Sequence, residues 1–257
     1  MPTRLSVNLN KVATLRNTRR VGVPSLKHCA RLCLDAGAAG ITVHPRPDQR
    51  HVRPHDLDDL AEVLAAYPAA ELNIEGNPFH GVVEHAEKFK PSQCTLVPDD
   101  PSQATSDHGW DLKRDAERLR PIAARLRAVG CRVSLFVDPV ADDMTIAAQL
   151  GADRVELYTE PYASAFARGD ATRELAACRD AALAAQSAGL GVNAGHDLNR
   201  ENLGPFLIGV REVLEVSIGH ALVADALELG LAETVRRYLA IVNAPSRAPS
   251  ERTRGCP

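Results

Sequence analysis

Eight short apolar runs, many of them β-branched, recur along this chain, separated by segments whose apolar residues return every three to four positions. The strand-like runs fall near 5–9, 40–44, 71–75, 93–97, 132–137, 154–159, 191–194 and 215–218. Strands that alternate with helices pair in parallel through right-handed crossovers. Eight such units in 257 residues predict an α/β fold: a single closed (β/α)8 TIM barrel over 1–242, with a parallel eight-stranded core and a few extra helices. The competing arrangement is an open doubly wound sheet, which would gather its polar strand ends at one switch point.

The helical segments carry their own punctuation. Leu26, Cys29, Ala30 and Cys33 form one stripe, with Pro24 before it and Gly37 after it. Leu57, Leu60, Ala61 and Leu64 form a second, entered through Asp56 and stopped by Pro68. Leu112, Ala116, Leu119 and Leu126 mark a third, which Pro121 is expected to kink or split. The alanine-rich segment 171–188 reads as a long helix. Two stretches break the alternation. Pro98 to Gly109 is a long polar connection of the kind that serves as a lid or binding loop. The Pro/Ser/Arg-rich stretch 243–257 reads as a flexible tail.

Aromatic residues make up only 4% of the chain, so the core is expected to be aliphatic and rich in alanine. The net charge of −3 gives no reason to expect nucleic acid or an anionic membrane as partner. No run is long and apolar enough for a membrane span and none reads as a signal peptide, which points to a cytoplasmic protein. The six cysteines include no CxxC pair. Cys29 and Cys33, on the apolar face of their helix, read as buried thiols.

The strands end on chemically capable residues. Asn8 and Asn10 close the first, His44 the second, Glu75 the third, His196 the seventh and His220 the eighth. In a closed barrel all these ends open on one face, where barrel enzymes do chemistry. A partly enclosed Glu75 would have a raised pKa and could act as a base, although a capping or salt-bridged glutamate fits the same position. His44 and His196 could exchange protons near neutral pH. Gly219-His220, where the last strand passes into a helix, could hold an anion on main-chain N–H groups. Arg16, Arg19 and Arg20 follow the first strand, and Arg46, Arg50 and His51 the second. Basic groups at the rim of an acidic protein suggest anionic substrates. Neither an HxH pair nor an HExxH helix is present, and no metal site is expected.

Taken together, Val7-Asn-Leu-Asn-Lys-Val-Ala-Thr-Leu-Arg-Asn17, Gly40-Ile-Thr-Val-His-Pro-Arg46, Arg50-His51, Leu96-Val-Pro98, Val133-Ser-Leu-Phe-Val-Asp138, Val192-Asn-Ala-Gly-His196 and Ile218-Gly-His220 resemble the pyridoxine 5′-phosphate synthase family, from Leu5 to Tyr238. The resemblance implies a barrel enzyme without metal or cofactor. It would condense 3-amino-2-oxopropyl phosphate with 1-deoxy-D-xylulose 5-phosphate to give pyridoxine 5′-phosphate, phosphate and water. By position it implies proton acceptors at His44 and Glu75 and a proton donor at His196. It implies contacts to the amino-ketone phosphate from Asn8, Arg19, Asp197, Gly219 and His220. Contacts to the deoxyxylulose phosphate fall on Asn10, Lys11, Arg46, His51 and Thr105. It further implies a homo-oligomer, an octamer in known cases. Departures from the family pattern are Asn10-Lys11 where Asp-His is usual, Asp197 where glycine is usual, Gly-Asn-Pro-Phe after Glu75, and Tyr158-Thr-Glu160-Pro at the sixth strand. Two other functions suit the same barrel: a metal-dependent sugar-phosphate isomerase or aldolase, and a phosphate-binding barrel without catalysis.

Overall fold

The computed structural model describes residues 2–100, 102–103 and 105–244. Eight strands, β1 (Arg4–Asn8), β2 (Gly40–Val43), β3 (Glu71–Gly76), β4 (Gln93–Leu96), β5 (Arg132–Val137), β6 (Arg154–Leu157), β7 (Gly191–Ala194) and β8 (Val213–Ile218), pair in parallel in chain order. Pairing of β1 with β8, Leu5 opposite Val216 and Val7 opposite Ile218, closes the barrel and rules out the open sheet. Each strand lies within two residues of its expected place. All but the first two residues of the expected tail 243–257 lie outside the described residues.

Local chemistry explains the helix bounds. Ser25 accepts the His28 N–H and caps Leu26–Asp35. The helix Pro54–Leu64 begins one turn earlier than its apolar stripe, with proline in its first position and Asp56 accepting the Arg53 N–H. The expectation that Pro121 splits its helix fails in that form: Leu112–Ala128 runs through it as one element. Pro121 is exposed, flanked in sequence by the buried Leu119 and Ile122. The N–H that proline lacks is therefore missing on the solvent side, where water can meet the unpaired carbonyl.

Alternate residues of a strand share a face. One set is apolar and buried in the main core with the helices: Leu5, Val7, Ile41, Val43, Leu72 and Ile74. This layer is aliphatic, as the composition predicts. The other set is polar and buried, which the composition does not foretell. Ser6 and Thr42 bond through their hydroxyls at 2.7 Å, and the Thr95 hydroxyl donates to Asn73 Oδ1 at 3.1 Å. Below them Arg4 and Arg132 both pair with Glu71, and Gln93 Nε2 donates to Glu215 Oε1 at 3.3 Å. The bore is thus filled at its N-terminal end by hydrogen-bonded and ionic groups that satisfy one another, as buried polar groups require.

Candidate active site

At the opposite end of the bore, over the C-terminal ends of the strands, lies a cavity of about 450 Å³. Every site residue expected from the sequence lines it except Arg19. The catalytic candidates His44, Glu75 and His196, carried by strands far apart in the chain, share this one hollow.

Arg19 stands apart from the others. It is exposed on the turn after the helix Asn10–Asn17, outside the cavity lining. Its neighbours in the Leu-Arg-Asn motif have a positioning role. Arg16 is buried, pairs with Asp56 and donates to the His51 carbonyl at 3.2 Å. Asn17 Nδ2 donates to the carbonyls of Arg50 and His51 at 3.1 and 2.7 Å. Together they pin the segment that presents Arg50 and His51.

Glu75 faces the cavity from β3 and is 8% exposed. Asn8 and Asn73 approach its two carboxylate oxygens, each through Nδ2 at 3.4 Å. Burial pushes its carboxyl well above the usual range, helped by the negative fields of Glu156, Glu215 and Asp99. A carboxylate made more basic in this way is a better proton acceptor.

Burial pushes the three histidines down. Burial drives His44 well down, assisted by Arg46, His51 and His196. Its backbone N–H donates to Asn10 Oδ1 at 2.8 Å, while Asn10 N–H donates to Asn8 Oδ1 at 3.0 Å. Asn10 thus serves as an acceptor that fixes the end of β2. His51 is pushed down to about 4 by burial first and then by Arg46. Its Nδ1 accepts the Val52 N–H at 3.0 Å, which leaves Nε2 to carry the proton. His196 packs edgewise on Tyr158 and tilted on Phe136, with ring centres 5.4 and 5.6 Å away. Its pKa is lowered by burial, against Asp197 and Glu160, which raise it. The Thr105 hydroxyl lies 3.2 Å from His196 Nε2, which brings the long loop after β4 onto the site.

Gly219 precedes the helix His220–Leu229, whose N-terminus opens on the cavity. A Cβ on Gly219 would stand 3.1 Å from that of Asn8, so the close approach of β8 to β1 needs glycine here. The free N–H groups of that first turn and its dipole favour an anion. Asp197 adopts φ +58°, the left-handed region that suits glycine and that Asp tolerates. Its side chain is exposed at the cavity rim.

Sequence reasoning missed Glu156 and Ser217. Both line the cavity from inward positions of β6 and β8. Glu156 is 4% exposed, its Oε2 has no hydrogen-bond partner, and burial followed by Glu215 raises its pKa. The available signal was strand alternation: Glu156 stands two residues before Tyr158, as Glu75 stands two after Asn73. Among the described residues, no three His, Cys, Asp or Glu side chains are grouped to hold a metal ion. Cys29, Cys33, Cys94, Cys131 and Cys178 are all buried thiols.

Residues 5–244 match the family described as pyridoxal phosphate biosynthesis protein PdxJ. The chain belongs to this family. It is 57% identical over 246 residues to the pyridoxine 5′-phosphate synthase of Albidiferax ferrireducens, covering 93% of this chain and 97% of that protein. It is 54% identical to the enzyme of that name from Xanthomonas campestris pv. campestris, covering 94% of this chain and 97% of that one. The chain also shares its fold with a tryptophan synthase structure from M. tuberculosis, at TM-score 0.64 and 13% identity, over 94% of this chain and 92% of that one. That likeness concerns the barrel alone.

Proposed function

We propose that this chain is a ring-closing enzyme that condenses 3-amino-2-oxopropyl phosphate with 1-deoxy-D-xylulose 5-phosphate to pyridoxine 5′-phosphate, with release of phosphate and water. The observation that carries the reading is the convergence of Glu75, His44 and His196 on one cavity that has anion-binding groups on two sides. Ring formation requires an imine, eliminations and a carbon–carbon closure, and each step moves protons. Glu75, its carboxylate made more basic by its dry surroundings, takes protons in imine formation and enolisation. His196 delivers a proton to a departing oxygen, with Thr105 holding its Nε2. His44, whose imidazole burial disfavours in the charged form, accepts a proton during addition and elimination.

The two phosphates occupy opposite sides. The helix start at Gly219-His220, with Asn8 and Asp197 beside it, takes the amino-ketone phosphate. Arg46 and His51, with Asn10, Lys11 and Thr105, take the deoxyxylulose phosphate. Holding the amine and ketone together replaces an encounter in solution. The loop carrying Thr105 excludes water from the intermediates. The proposal includes a homo-oligomer in the cytoplasm that needs no metal.

Incubation with both substrates, followed by the absorbance of pyridoxine 5′-phosphate, tests the reading. Product that forms equally with and without EDTA supports it. Phosphate binding without product favours the non-catalytic alternative, and activity that EDTA removes and one divalent ion restores favours the metal-dependent one.

A further inference from the structure

Arg46 is 5% exposed, and its guanidinium is already engaged. It pairs with Asp99 Oδ2 and donates to the Gln103 carbonyl at 2.7 Å. Asp99 belongs to the segment after β4 and is 4% exposed. Its backbone carbonyl accepts from Asn77 Nδ2 at 3.0 Å, which fixes the main chain there. The same Oδ2 lies 3.6 Å from His44 Nε2, inside ion-pair range and too far for a hydrogen bond. One carboxylate oxygen therefore stands between a proton-transfer histidine and a phosphate-site arginine.

The other oxygen completes the picture. Asp99 Oδ1 is buried without a hydrogen-bond partner. Such an atom is costly unless it gains a partner in some state of the protein. Next to it is a hollow of about 10 Å³ lined by His44, Arg46, Asn77, His80 and Asp99 among others. Asp99 thus borders a small space that the packed side chains leave unfilled.

An incoming phosphate competes for Arg46. It carries more charge than a carboxylate and matches the guanidinium fork equally well. We propose that Asp99 is a positioning residue that couples phosphate binding at Arg46 to the orientation of His44. This rests on the reading that Arg46 holds the deoxyxylulose phosphate. Before the phosphate arrives, Asp99 neutralises Arg46. Once Arg46 turns to the phosphate, the Asp99 carboxylate rotates towards His44 and accepts its Nε2–H. The imidazole is then fixed with Nδ1 unprotonated, the nitrogen that can take a proton from the substrate. The enzyme thus sets its base only when substrate is present.

The coupling makes opposite demands on binding and turnover, which a merely structural role does not. Asp99→Asn keeps the shape and removes the charge. It should lower kcat roughly ten- to hundredfold, a part of what a positioned base contributes. The same change should tighten inorganic phosphate roughly fivefold, since Arg46 no longer has a charged competitor nearby. The phosphate gain should vanish in an Arg46→Gln background. Asp99→Glu, which restores a carboxylate, should recover much of kcat.

Calorimetric titration with inorganic phosphate and steady-state kinetics with the deoxyxylulose phosphate varied read both arms. Phosphate binding that weakens in Asp99→Asn, or kcat within twofold of wild type, overturns the proposal. The titration decides the Arg46–Asp99 link without reference to turnover. A wild-type protein that makes no pyridoxine 5′-phosphate would therefore overturn the functional reading separately.

Discussion

Gly195 is packed so closely on Ser217 that a Cβ there would stand 2.6 Å from the Ser217 carbonyl oxygen. The same Cβ would lie 3.1 Å from Oε1 of Glu156. Glycine before His196 is thus a steric requirement of the barrel mouth. Gly195→Ala is expected to cost about 1–3 kcal/mol of stability through overpacking. It should also lower kcat by disturbing Glu156 and His196 together. Chemical denaturation and steady-state kinetics of the variant check both effects.

Glu75→Gln is expected to reduce ring formation by about 10²- to 10⁴-fold, the range for loss of a general base. The fold should persist, because the amide can still meet Asn8 and Asn73. The folded pKa of Glu75 is raised, so the native state holds its proton at pH values where the unfolded chain, with a glutamate pKa near 4.3, has lost it. Wild-type stability from this group therefore falls as pH rises above about 4.3. The melting temperature of Glu75→Gln, relative to wild type, should climb over the same interval.

His51 makes the opposite contribution. Its folded pKa of about 4 lies below the ordinary histidine value of about 6.5, so the unfolded chain binds the extra proton between those limits. Stability should fall as pH drops from about 6.5 towards about 4. His51→Asn retains an acceptor for the Val52 N–H and removes the titration. Urea midpoints measured at pH 7 and pH 5 should differ less in this variant than in wild type.

Asp197 sets a carboxylate at the rim of the phosphate cradle, in a backbone conformation that glycine adopts freely. Asp197→Gly should lower KM for the amino-ketone phosphate roughly three- to fivefold by removing a like charge from its path. An unchanged KM in initial-rate measurements would show that the carboxylate does not meet the phosphate.

The barrel was legible because most strands of this chain close on a change of chemistry. Val43 gives way to His44 and Ala194 to Gly-His196, and those steps mark both the strand end and the site. Glu156 escaped because it lies inside β6, where an alternating carboxylate looks like any solvent-facing strand residue. Only closure of the sheet turns that face inward. Asp99 escaped for a different reason: it follows Pro98 in a polar stretch where carboxylates are ordinary, and its meaning comes from Arg46 and His44, more than fifty residues away. The sequence also could not tell the arginines after β1 apart: helix geometry turns Arg16 inward while Arg19 faces solvent.

The ion pairs of Glu71 with Arg4 and Arg132 stopper the far end of the barrel. The reaction cavity lies at the other end, with Thr105 and Gly219 in its lining. On the proposed reading, two phosphorylated reactants and everything they become must pass through that C-terminal mouth. Traffic through it therefore sets a ceiling on turnover that faster proton transfer inside cannot lift.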